Sequence, residues 1–154
     1  MIKQVVLLIL FLVIGIKGYS YTLIGNWKLD SGQMVYVKVY ELKNKKDESL
    51  IRCNYVQNEQ WLWDVRKTNF LDTYEEYSLS DFFKWEKVKS WSCYRGVGST
   101  KDGKLYNVLI LLNSYGTRFE WFYVRQYGSG FDSYNSKDLW EVKHLFSYIK
   151  IKKK

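Results

Sequence analysis

The sequence predicts an all-β protein: a closed antiparallel up-and-down barrel of eight strands with a C-terminal helix packed outside it. Three observations carry this. Short segments alternate side chains with period two, as where Val35, Val37 and Val39 stand against Tyr36, Lys38 and Tyr40. Turn signals such as Asp102-Gly103 separate these segments. Towards the C-terminus the apolar spacing lengthens to three and four residues. Many short strands in one domain close on themselves, because closure removes unpaired edges.

The first segment reads as a leader. Lys3, the apolar run from Val5 to Ile14 and the small residues beyond it predict a signal peptide over 1–20, cleaved after Gly18 or Ser20. The run falls short of the ~20 apolar residues that a membrane span needs. A secreted protein is therefore expected, with one domain over 21–154. Its roughly 135 residues suffice for a single core.

The strands follow in order. Leu23 to Asp30 is the first, closed by Ser31-Gly32, and Gln33 to Leu42 is the second. After a polar turn at 44–47 come Ser49 to Gln57 and Gln60 to Arg66; the latter sets Trp61, Trp63 and Val65 on one face. Asn69 to Ser80 fits strand, helix or loop. Phe82 to Tyr94 reads as a strand, although Asp81 is also a candidate cap for a short helix. Leu105 to Leu112 is almost wholly apolar and predicts a strand buried on both faces. Asn113 to Gly116 turns the chain into Arg118 to Gln126. Asp138, with Glu141 three residues on, has the spacing of a helix cap, and Leu139, Val142, Leu145 or Phe146, and Ile149 would form the apolar stripe of that helix. A short final strand is expected from Tyr148 to Lys152.

Composition narrows the chemistry. The net charge is +8, with 24 Lys and Arg against 16 Asp and Glu, and much of the surplus lies in a basic tail at Lys150, Lys152, Lys153 and Lys154. That tail reads as a solvated end, and no nucleic-acid partner is expected of an exported chain. Cys53 and Cys93 are the only cysteines and predict one disulfide. With a single histidine, His144, they make no metal site. No nucleophile lies in a recognisable motif, Glu75-Glu76 reads as a solvated turn, and Gly96-Val97-Gly98 lacks the following helix of a phosphate loop. Neither enzyme activity nor a cofactor is expected.

Gly25-Asn26-Trp27 opens the first strand, and the last long strand ends in Val124-Arg125-Gln126 before the presumed helix. This order of features resembles the lipocalins of the calycin superfamily, although Lys104-Leu105-Tyr106 stands where the family carries Thr-Asp-Tyr. The resemblance implies a barrel base in which Trp27, next to Gly25, plugs one end and Arg125 lies across it. It also implies a calyx for one small hydrophobic or amphipathic ligand. Strand alternation from Arg125 would then turn Phe119, Trp121 and Tyr123 inward, faced by Val108, Ile110 and Leu112, with Tyr123 as a polar handle. Leu109 and Leu111 would meet the helix. Two other readings stay open. One is an immunoglobulin-like sandwich built on Cys53, Trp61 or Trp63, and Cys93. The other is a carbohydrate- or surface-binding module with exposed aromatic platforms.

Overall fold

The structure, a computed structural model, describes residues 19–126 and 140–152. The presumed leader up to Gly18, the presumed helix start at Asp138 and Leu139, and the last two lysines of the tail lie outside those residues.

Eight antiparallel strands hydrogen-bond in chain order and close into a barrel. They are β1 Tyr19–Leu29, β2 Tyr36–Asn44, β3 Ser49–Tyr55, β4 Trp61–Thr68, β5 Ser92–Ser99, β6 Leu105–Leu112, β7 Arg118–Gln126 and β8 Trp140–Lys150. The turns at 45–48 and 113–117 and the long 69–91 connection share one end, called lower here. Loops 30–35, 56–60 and 100–104 share the upper end. Gly103 in the predicted Asp-Gly turn takes φ +79°, a conformation that suits glycine. The closing seam is short: β1 pairs with β8 only at Trp27–Lys150, Lys28–Ile149 and Leu29–Tyr148.

The sheet has hydrophobic cores on both faces. The inner one gathers Trp27, Val37, Val39, Cys53, Trp63, Val65, Val108, Ile110, Phe119, Trp121 and Tyr148. The outer one gathers Tyr77, Leu79, Cys93, Leu109, Leu111, Phe122 and Val124. What covers the outer core is the connection between β4 and β5: helix α1 (Phe70–Glu76), a 3-10 turn (Leu79–Asp81) and helix α2 (Trp85–Val88). Asn69 caps α1 by accepting from the Asp72 amide at 3.0 Å.

Four expectations are corrected. First, the residues read as a C-terminal helix form strand β8. Its register against β7 steps from Trp121–Phe146 to Phe122–His144, leaving Leu145 as a bulged residue. That extra residue breaks the period of two and imitates helical spacing. The open edges of β1 and β7 need a partner along this stretch, and its Trp, Val, Phe, Tyr and Ile suit a strand. The helical cover over Leu109 and Leu111 exists, but the 69–91 connection supplies it. Second, the strand expected from Phe82 to Tyr94 begins only at Ser92, because the aromatics before it pack outward onto the sheet as short helices. Third, Cys53 and Cys93 are free, buried thiols. They lie two strands apart and five residues out of register (Cys53 pairs with Trp63, and Trp63 with Gly98), roughly 20 Å from each other, and on opposite faces of the sheet, one in each core. A disulfide needs closer Cα atoms and facing Cβ vectors. Fourth, the immunoglobulin-like sandwich gives way to the closed barrel.

Candidate functional site

Strand alternation delivers the inner side chains. On β7, Phe119, Trp121 and Tyr123 turn inward, while Glu120, Phe122 and Val124 turn outward. The inner face then forms layers. In the middle, Trp121 packs edge-on to Trp63 at 6.0 Å and beside Tyr148 at 6.2 Å, and its indole donates to the Tyr106 hydroxyl at 2.9 Å. Above it, Tyr123 stacks on Tyr106 at 5.2 Å. Burial pushes up the Tyr106 and Tyr148 phenols, so both remain protonated donors. At the upper rim Glu141 pairs with Arg125 at 3.2 Å and with Lys143 at 3.1 Å.

The lower end is less completely filled. An apolar cavity of about 40 Å³ opens there. By the same measure a water needs roughly 10–15 Å³, so the cavity takes about three water-sized groups. Trp27, Trp63, Phe119, Ile110 and Leu112 wall it, with Ile24, Val39, Ile51, Val65 and Tyr94 completing the lining. None of these is charged. Glu41 follows the lining Val39 by two residues on β2 and stands opposite the lining Ile51 on β3, which places its charge near the cavity rim. Glu41 lies 3.7 Å from Lys43.

Of the six residues expected to hold a ligand, Ile110, Leu112 and Phe119 line this cavity. Val108 and Trp121 are packed in the core, and Tyr123 belongs to the tyrosine layer near the upper end. The barrel base also differs from expectation. Trp27 is 1% exposed and meets Phe119 at 4.9 Å. Arg125, six residues further along β7, stands about 20 Å away. Its side chain is 59% exposed and paired with Glu141, so it cannot lie across Trp27. The basic side chain at Gly25 is Lys150, whose stem lies so close that a Cβ on Gly25 would meet its Cε at 2.7 Å. Sequence reasoning passed over Val39, Ile51, Trp63 and Val65 as lining. Their shared parity was visible, but nothing in one strand says at which height the barrel is left open.

A second cluster sits on the outer wall, and the β8 bulge creates it. His144 and Ser147, three apart, would face opposite ways on a regular strand. With Leu145 bulged, both flank Glu120. Glu120 is 3% exposed, and it accepts from His144 Nε2 at 2.9 Å, from Arg118 Nε at 2.9 Å and from the Ser147 hydroxyl. Burial pushes its carboxyl up, but the bonds from His144, Ser147 and Arg118 outweigh this and hold it below its ordinary value. Arg118 also reaches Asp30 at 2.7 Å, tying β7 to the end of β1. The three residue types suggest a catalytic triad, but the geometry differs. One nitrogen, His144 Nε2, faces both the carboxylate and the hydroxyl, which is 3.3 Å away. A relay needs the two ring nitrogens on separate partners. The cluster is a hydrogen-bonded clasp across the β7, β8 and β1 seam.

Among the described residues no group of His, Cys, Asp and Glu is arranged to hold a metal ion, and no helix is long and apolar enough to cross a membrane. Comparison with protein-family models, with curated proteins and with solved structures finds no match.

Proposed function

We propose that this protein is a non-catalytic binder of one small hydrophobic or amphipathic molecule, a lipocalin-like carrier that takes its ligand at the lower end of the barrel. The carrying observation is the uncharged cavity walled by Trp27, Trp63, Ile110, Leu112 and Phe119, bulky apolar side chains from four strands, with a charged pair near its rim. Such a site suits a slender molecule whose apolar end enters while its remainder stays at the mouth. A cavity this small favours an unbranched chain over a fused ring system. Binding is non-covalent and needs no cofactor. The rival platform reading has less behind it: exposed aromatics such as Tyr115 and Phe82 stand singly, which is normal for a protein surface.

The same reading includes export, on the basis of the apolar run from Val5 to Ile14. Cleavage after Gly18 leaves β1 whole, whereas cleavage after Ser20 removes two residues paired with β2. Mass spectrometry of secreted protein distinguishes the two, and a retained Met1 sinks the export reading.

Fluorescence titration with fatty acids, retinoids and long-chain amines tests the binding site, since two indoles wall the cavity. A saturable change at one site per chain is expected, strongest for the slender chains. Leu112→Trp fills the cavity and abolishes the response with the fold retained. No saturable response to any of these, or full binding by Leu112→Trp, overturns the proposal.

A further inference from the structure

Two lysines at the lower end of the barrel lack a charged partner. On β4, Lys67 comes two residues after Val65 and four after Trp63, both of which line the cavity. It stands directly opposite Tyr94 of β5, another lining residue, so it shares the inner face, and it is exposed. On β8, Lys150 pairs with Trp27, which walls the cavity. Its stem lies over Gly25, where a Cβ would meet Lys150 Cε at 2.7 Å and Cδ and Cγ at 3.6 Å. Gly25 itself stands opposite the lining Val39. The missing side chain of Gly25 thus leaves room for a lysine stem at the inner face, and Lys150 is exposed, its ammonium in water. β4 and β8 are four strands apart in a ring of eight, so the two lysines flank the mouth from opposite sides. Neither forms an ion pair among the described residues. Glu41 near the same rim already has Lys43 at 3.7 Å, and Lys43 has Asp47 at 3.7 Å.

We infer that the ligand is an anionic single-chain amphiphile of the carboxylate class, whose head group stays at the lower mouth between Lys67 and Lys150 while its chain enters the cavity. This rests on the cavity being the binding site and adds the charge of the head group. Inside the apolar walls a charge would be buried without a counter-charge, so the head group remains outside. At the mouth, two unanswered ammonium groups favour an anion and oppose a cation. From Trp63 to Lys67 is roughly 13 Å along the strand, a span for a chain of medium length.

The matched probes are octanoate, octanol and octylamine, the last protonated at neutral pH. They share one chain and differ in the charge of the head group. Their affinities are measured by calorimetry at low ionic strength for the parent chain, Lys67→Met, Lys150→Met and the double variant. Methionine keeps an unbranched stem and removes the charge, and both positions are exposed, so the fold is retained. The readout is the octanoate-to-octanol affinity ratio, in which any change to the cavity itself cancels. In the parent, octanoate is expected to bind tightest and octylamine weakest. The ratio should fall about threefold for each lysine removed. It should also fall in the parent as salt is added, because exposed charges are screened. Octanol or octylamine binding as tightly as octanoate, or a ratio unchanged in the double variant, overturns the inference while leaving the binding site standing. No saturable binding of any of the three overturns the site itself.

Discussion

The inner and outer cores are of comparable make, yet the chain builds them differently. The inner core draws on all eight strands by simple alternation. The outer core exists only over β5 to β8, where the 69–91 connection folds back as α1, the 3-10 turn and α2. The strands between the two cores show the consequence. On β6, Val108 and Ile110 are buried inward while Leu109 and Leu111 are buried outward, so the strand reads as one apolar run. On β4, Trp63 and Val65 face inward while Asp64 turns outward to bind Arg52 through two bonds of 2.8 Å. A strand's outer face is apolar where something covers it, and the cover comes from another part of the chain.

The largest effects test whether the two cores are equal partners. Trp27→Ala and Phe122→Ala, one for each core, should each destabilise by about 3–5 kcal/mol in urea unfolding. A loss below about 1 kcal/mol for Phe122→Ala would reduce the helical cover to decoration. Gly96→Ala belongs in the same range, at about 3 kcal/mol, although it removes nothing. Its Cβ would stand 1.9 Å from the Asp64 carbonyl oxygen, which is backbone and cannot swing aside.

The Glu120 clasp should have a smaller effect. Glu120→Gln should destabilise by about 1–3 kcal/mol at neutral pH, because three donors lose a charged acceptor. Since the folded carboxyl is held below its unfolded value of 4.5, its contribution is fully present above that value and drains away as pH falls through the folded one. Parent and variant unfolding curves should therefore converge in acid, and a difference that persists there would deny the clasp its charge. The thiols work in the opposite direction of pH. Burial pushes Cys93 to about 12 from 9.0, so the unfolded chain loses this proton first and stability declines between those values as pH rises. Both cysteines should resist alkylation in the folded protein and give two free thiols once it is unfolded; a disulfide in that assay would contradict the opposite-face placement.

Arg125→Ala should have the smallest effect, under about 0.5 kcal/mol, as for other exposed ion pairs. Combined with Trp27→Ala it should be additive within about 0.5 kcal/mol, since the two are far apart. A coupling well above that would restore Arg125 to the barrel base.

By itself the sequence determined the strand count, most turns and that Phe119, Trp121 and Tyr123 share one face of their strand, because alternation and turn chemistry act over a few neighbouring residues; that this face is the inner one rested on Arg125 at the barrel base, which the structure does not place there. It also marked Leu105–Leu112 as buried on both faces. Local pattern was silent or misleading wherever two distant segments had to meet. Leu145 bulges because β8 must match β7 below it and then reach β1, and that single residue turned a strand into an apparent helix and set His144 beside Ser147. Only the tertiary structure decided that Cys53 and Cys93 face away from each other, that Lys150 rather than Arg125 lies at Gly25, and that the barrel is left open at the height of Trp27 and Trp63. Each of these depends on register around a closed sheet, and register is a relation between strands that no single strand's sequence contains.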